Sequence, residues 1–229
     1  MAEQVTRREV KFRMPLLAYK RMENRLRAQL EADPHNGAGG YTVTSLYFDS
    51  IDDGDRQNVL DGLETRKKIR LRVYSPDDQR AKLEYKHKRG AEQTKYSLTV
   101  SRAEARALMD GDYTCLLGRA EPISLTMYAE MNMRVYRPKA LIAYERQAFI
   151  YPVSRVRITY DTNIRASQTD LDPFMTGVQW MPVMEPGVGI LEVKYDGFLP
   201  SFIRSLLKEA DDLPQANSKY LQGRGQYME

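Results

Sequence analysis

Cysteine is nearly absent: Cys115 is the only one in 229 residues. No disulfide can form within one chain, which excludes the disulfide-stapled secreted class and fits a reducing compartment. Long apolar runs are absent as well. Nothing approaches the roughly 18 apolar residues of a transmembrane helix. The opening MAEQVTRREV lacks the apolar core of a signal peptide. The expectation is a cytoplasmic chain with no membrane segment of its own. No internal repeat, low-complexity tract or linker divides it, so residues 1–229 read as a single domain. Histidine is scarce. His35 sits in a Pro-His-Asn-Gly loop and His87 on the face opposite Lys86, so neither is given a role.

What is present can build a core. Hydrophobic residues make up 42% and charged residues 29%, with 15 Tyr, too apolar and aromatic for disorder. The net charge of +4 and the pI near 9.0 make anionic partners plausible and say little more. The placement of the charge says more. Period-two alternation, the strand signature, runs through residues 9–13, 41–48, 68–74, 82–88, 94–100, 140–151, 155–161 and 188–195. Turn signals such as Ser75-Pro76-Asp77-Asp78 and Arg89-Gly90 separate these segments. Many short strands at close spacing predict a mainly antiparallel barrel or sandwich. Helices are expected over residues 15–31, with Pro15 in the first turn, after the Ser101/Glu104 capping box up to Gly111, and over 200–209. Residues 167–186 read as a long loop with at most one strand, and residues 118–137 remain unplaced.

Residues two apart on a strand share a face. Glu9, Lys11 and Arg13 share one, and so do Lys68, Arg70 and Arg72. The same holds for Lys82, Glu84, Lys86 and Lys88, for Arg155, Arg157 and Asp161, and for Glu192 and Lys194. An ordinary solvated sheet face would explain each strand singly. As a set they differ from one, because nearly every polar position is ionised and cations outnumber carboxylates about three to one. Like charges on neighbouring strands repel. Something anionic and extended, such as a phosphate chain, would neutralise them. The apolar faces pointing outward would then need cover from the helices. A few Glu among many Lys and Arg also suit Mg²⁺ or Mn²⁺, which take carboxylate, phosphate and water oxygens. Glu9, Glu84 and Glu192 are the candidates; an interstrand ion pair is an equal alternative for Glu9 and Glu84 and a lesser one for Glu192.

At this point the residues resemble a known family. Glu9-x-Lys11-x-Arg13, Ser45-Leu46-Tyr47-Phe48-Asp49, Lys68-x-Arg70-x-Arg72 and Leu83-Glu84-Tyr85-Lys86-His87-Lys88 come first. Ala143 to Phe149, Leu191-Glu192-Val193-Lys194 and Ser218-Lys219-Tyr220 follow in the same order. Together, over about residues 7–222, they resemble the VTC (vacuolar transporter chaperone) polyphosphate polymerase domain, a triphosphate tunnel metalloenzyme related to the CYTH phosphatases and cyclases. The resemblance implies an α+β fold, mainly antiparallel, with an eight-stranded barrel forming a tunnel and flanking helices. It implies transfer of the γ-phosphate of ATP to a growing polyphosphate chain with Mn²⁺ or Mg²⁺. Lys11, Arg70, Arg72, Lys86, Arg146, Lys194 and Lys219 would bind phosphate, and Glu192 would hold the metal. Arg13, Lys88, Lys95 and Arg157 would support them. CYTH enzymes begin Glu-x-Glu-x-Lys, whereas here Lys11 replaces the middle carboxylate, which favours the polymerase side. The sensor domain and membrane segment of the eukaryotic polymerases have no counterpart, so the expectation is a catalytic core, of the bacterial stand-alone form, with a separate membrane partner for export.

Two other functions stay open. A metal-dependent tri- or polyphosphatase, or a nucleoside triphosphatase, would differ only in letting water attack. A non-catalytic binder of polyphosphate or nucleotide would need the basic face alone. Nucleic acid is disfavoured, since it predicts exposed basic patches with stacking aromatics.

Overall fold

A computed structural model describes residues 8–37, 39–90, 92–208 and 218–225. In chain order the elements are β1 (Arg8–Pro15), α1 (Leu16–Gln29), β2 (Glu31–Ala32), β3 (Tyr41–Asp49), α2 (Gly54–Leu60), β4 (Thr65–Val73), β5 (Arg80–Arg89) and β6 (Glu92–Ser101). Then come α3 (Arg102–Asp110), α4 (Pro122–Met133), β7 (Arg137–Tyr151), β8 (Val156–Ser167), β9 (Met181–Pro182), β10 (Val188–Tyr195), α5 (Ser201–Leu207) and α6 (Lys219–Gly223). All eight expected strands form. They lie in the order β1-β10-β8-β7-β3-β4-β5-β6, with the short β2 and β9 pairing off this path. Every pairing is antiparallel.

The barrel is approximate. β1 and β6 end the path and share no pairing among the described residues. The sheet nonetheless curls until its ends oppose each other. Lys68 on β4 lies within electrostatic reach of Glu9 and Lys11 on β1, and Lys86 on β5 within reach of Glu9 and Lys194.

Alternation explains the layers. The outward residues of β3 to β6, among them Leu46, Ile69, Leu71, Leu83 and Leu98, pack under α3 and α4 through Ala105, Leu108, Met127 and Met131. Those of β1, β8 and β10, including Phe12, Ile158, Leu191 and Val193, pack under α1 and α5 through Tyr19, Met22, Leu26 and Ile203. The helices thus cover the outward apolar faces, as the charged inner face requires. A third apolar group, built from Val43, Tyr47, Ile142, Tyr144, Ile190 and Tyr220, lies on the inner face and docks α6 there.

Some boundaries differ from expectation. Pro15 closes β1 in an extended conformation, and α1 begins after it. The helix ends at Gln29 because the chain turns into β2, which pairs with Ile150 and Phe149 of β7. The capping box forms as expected, with Ser101 and Glu104 each accepting from the other's backbone N–H. In α5 the helix covers Ser201–Leu207, and residue 209 lies outside the described residues. The unplaced 118–137 segment contains α4, whose apolar residues surround the helix and give no stripe. The short α2, seven residues long, is not among the expected helices. Its N-terminal amides at Asp55 and Arg56 are held by the buried Asp49 carboxylate at 2.8 and 2.9 Å.

Candidate active site in the basic tunnel

Four charge clusters line the inner face. The first sits where β1 pairs with β10, with Lys11 opposite Glu192 and Glu9 opposite Lys194. The Lys11 ammonium lies 2.7 Å from Glu9 and 3.6 Å from Glu192. Lys194 bonds Glu192 and reaches Glu9 at 3.8 Å. Burial disfavours the Glu192 charge, but Lys194 and Lys11 outweigh it and hold its pKa well below the usual carboxylate range. Lys11 is raised in turn: the two carboxylates overcome its own burial.

The second cluster surrounds Glu84, directly across the β4–β5 ladder from Arg70. Arg70 donates to it at 2.7 Å, Lys95 bonds its other oxygen, and Arg72 stands 3.8 Å away. Burial opposes this charge too, and the three cations keep it ionised far below its ordinary pKa. Arg70 also donates to the Tyr47 hydroxyl at 2.8 Å. In the third cluster Arg146 forks onto Asp161 at 2.6 and 2.8 Å, and Lys219 at the start of α6 reaches the same carboxylate at 2.6 Å. Both cations lie over the Tyr144 ring, 5.1 and 4.8 Å from its centre. Asp161 is fully buried, yet Arg146 and Lys219 pull its pKa down to about 2.

The fourth group makes no direct ion pair among the described residues. Lys68 faces Lys86 across β4–β5. Lys68 donates to the Ser218 hydroxyl at 2.8 Å, and neither lysine has an ion-pair partner among the described residues. Burial, then Lys11 and Arg70, push Lys68 down to about 7, and burial with Arg70 and Lys194 pushes Lys86 well below its ordinary value. Here is cationic capacity that Glu9 and Glu192 offset only in part, from a distance.

The structure thus brings Lys11, Arg70, Arg72, Lys86, Arg146, Lys194 and Lys219 to one inner face. The supporting residues are more peripheral. Lys88 continues the same row on β5. Arg157 pairs with Asp33 at 2.8 Å, and Arg13 reaches the exposed Glu185 at 3.5 Å. Lys95 is exposed and held by Glu84. Lys68 and Asp161 join this face without belonging to the expected site. Both share a face with expected members, which was the available signal, but only the register reveals which cations they meet.

The expected trio of metal carboxylates does not assemble. Glu84 stands with Arg70, Arg72 and Lys95, and both its oxygens are engaged. Among the described residues no group of three His, Cys, Asp or Glu is placed to hold a metal ion. Glu9 and Glu192 do come together on Lys11 and Lys194. Two carboxylates fit Mg²⁺ or Mn²⁺, which complete their shells with phosphate oxygens and water.

Against known proteins, the sequence matches the VTC domain over residues 6–227. The chain belongs to the VTC domain family. No curated protein matches it. Among solved structures it is similar to a Bacillus halodurans protein provisionally described as an adenylate cyclase. Identity is 12%, coverage 95% of this chain and 98% of that one, and the TM-score 0.56. A Vibrio parahaemolyticus protein with the same provisional description matches at 12% identity, 97% and 98% coverage and a TM-score of 0.50. At such identity the likeness is one of fold. Family and fold support a VTC-domain tunnel protein that binds nucleotide or phosphate, suggest phosphoryl transfer, and suggest dependence on a divalent metal. No helix among the described residues is long and apolar enough to cross a membrane.

Proposed function

We propose that this VTC-domain chain is a polyphosphate polymerase that moves the γ-phosphoryl group of ATP onto the end of an inorganic polyphosphate chain. The observation that carries the reading is the position of Lys11, between Glu9 and Glu192. It puts a cation on the inner face of β1 where the hydrolase pattern has a carboxylate, and so favours a polyanion over water as the acceptor.

The chemistry follows from the charge. A terminal phosphate oxygen of the acceptor attacks the γ-phosphorus, a new P–O bond forms, the β–γ bridging bond breaks and ADP leaves. No side-chain nucleophile is needed. Arg70, Arg72, Lys86, Arg146, Lys194 and Lys219 bind the equatorial and bridging oxygens, offset the developing charge and hold donor and acceptor in line. Glu84 and Asp161 orient the cations they bind. Glu9 and Glu192 would hold a divalent metal, which when bound spreads charge from the phosphate oxygens. Lys88, Lys95, Arg157 and Arg13 guide the ends of the chain.

The test is purified protein with ATP and Mn²⁺ or Mg²⁺, product run on a gel stained for polyphosphate beside a phosphate-release assay, and Glu192→Ala as control. A ladder that vanishes in the variant is expected. Free phosphate without a ladder would move the protein to the phosphatases. Binding of tripolyphosphate with neither product would make it a binder.

A further inference from the structure

One mouth of the tunnel, where β3 begins and β4 ends, carries three aromatic side chains that no catalytic cluster uses. Tyr41 opens the inner row of β3, and Tyr74 stands one residue past the end of β4, two beyond Arg72. Their ring centres lie 6.1 Å apart at a 54° tilt, and His35 lies 6.2 Å from Tyr41 at 61°. Tilted rings at this spacing do not consume one another's faces, unlike Tyr47 and Tyr220, stacked at 5.3 Å and 18°. Tyr41 alone leans on the core, against the group around Val43 and Tyr144. Tyr74 is 50% exposed and the His35 side chain 82% exposed.

The rings are tied to cations. Tyr41 lies opposite Arg146 in the β3–β7 register. Its hydroxyl accepts from Arg157 at 3.2 Å. Buried Asp33 accepts from the His35 backbone and ring at 3.1 and 2.8 Å and from Arg157 at 2.8 Å, so one carboxylate fixes a ring and a guanidinium together. Arg146 leads inward, since it helps hold Glu192 ionised. Side-chain exposure falls from the open rings through Arg157, at 38%, to Arg146 and Glu192, at 11% and 8%. A nucleoside triphosphate has the same order: a flat base, then phosphates in a row. Inorganic polyphosphate offers nothing for the rings.

We propose that Tyr41 and Tyr74, with His35 at their edge, form a base-stacking platform at this mouth. It would seat a nucleoside triphosphate with its α-phosphate at Arg157 and Arg146 and its terminal phosphate towards Glu9, Glu192 and Lys86. The proposal rests on the tunnel binding triphosphates, as argued above, and adds which end the nucleotide occupies. Every base has a π-face, so the platform tolerates any base and prefers purines for their larger stacking area.

The experiment measures binding of ATP and of inorganic tripolyphosphate, in the same Mg²⁺ buffer, by calorimetry on wild type, Tyr74→Ala and Tyr74→Trp. Tyr74→Ala is expected to weaken ATP about 10-fold and tripolyphosphate less than about 2-fold, with Tyr74→Trp restoring ATP. Equal loss for both ligands, or no loss for ATP, in a variant whose melt matches wild type would overturn the platform while leaving the tunnel intact. Failure of wild type to bind tripolyphosphate would overturn the tunnel reading, and the platform with it.

Discussion

Lys68 and Lys86 hold the least compensated charge in the tunnel, and two expectations follow at the scale of single residues. Lys68 titrates near 7 in the free protein, below its unfolded value of 10.5. The folded state therefore binds fewer protons than the unfolded one between those values, and free-protein stability should rise as pH climbs from about 7 to about 10. A bound phosphate chain reverses this by favouring the ammonium. Tripolyphosphate binding at pH 8 should take up a proton, detectable as a dependence of calorimetric heat on buffer ionisation enthalpy, and Lys68→Met should diminish the uptake. Lys86→Met removes a like charge worth up to about 1 kcal/mol. It should raise the melting temperature of the free protein by ~2–4 °C while weakening tripolyphosphate, a trade of stability against binding. If the variant melts lower and binds normally, Lys86 is not facing the ligand. Asp161 behaves oppositely. Its pKa of about 2 lies below the ordinary 3.8, so its contribution is present above pH 4 and lost as pH falls through 2. Asp161→Asn leaves Arg146 and Lys219 without their carboxylate and should cost about 3–5 kcal/mol in a denaturant titration at pH 7.

Among the elements, α2 and β10 are the most exposed to single changes. The α2 residue Asp55 is buried, accepts from the Tyr136 hydroxyl at 2.5 Å, and leaves its other oxygen without a hydrogen-bond partner among the described residues. Burial pushes its pKa up to about 6, against the Tyr136 bond, which lowers it. A carboxyl raised in the folded state loses stability as pH rises from about 4 through 6. Asp55→Asn should flatten that part of the stability profile, and an unchanged profile would mean that the group is solvated. In β10, Gly189 lies against β8. A Cβ there would come within 2.6 Å of the Tyr160 ring and 2.7 Å of the Asp161 carbonyl oxygen, so Gly189→Ala should disrupt the β8–β10 ladder and show as lost amide protection in both strands.

For the whole molecule, charge and fold work against each other until a ligand enters. Polyanion at 100 times its dissociation constant stabilises by about 2.7 kcal/mol, which for a chain this long is a rise of ~5–10 °C in melting temperature. Neutral polymers should give none. Glu192→Ala should abolish product while keeping most of this shift, because Lys194 and Lys11 remain to bind phosphate.

Period-two alternation with ionised residues on one face was enough to read all eight main strands, their rows of inward charge and the outward faces needing helical cover, because strand geometry makes side-chain direction a local property; Arg146 and Lys219, the latter on a helix, rest on the motif resemblance instead. The Ser101/Glu104 cap was legible because its signal is local too. Elements without a periodic stripe were not. The apolar residues of α4 surround the helix, and α2 spans only seven residues, started by the buried Asp49 from the preceding strand. The pairing of charges was decided by register and curl. Nothing local separates Glu84 from Glu192, since each stands beside cations in its own strand. Across the ladders, Glu84 meets Arg70, whereas Glu192 meets Lys11 and, through it, Glu9. Lys68 likewise looks like its neighbours in sequence and differs only because the curled sheet sets it against Lys86 and Lys11. The sequence by itself determined which residues face inward. The tertiary structure decided which of those charges are neutralised and which are left for a ligand, because electrostatic energy depends on distances between strands far apart in the chain.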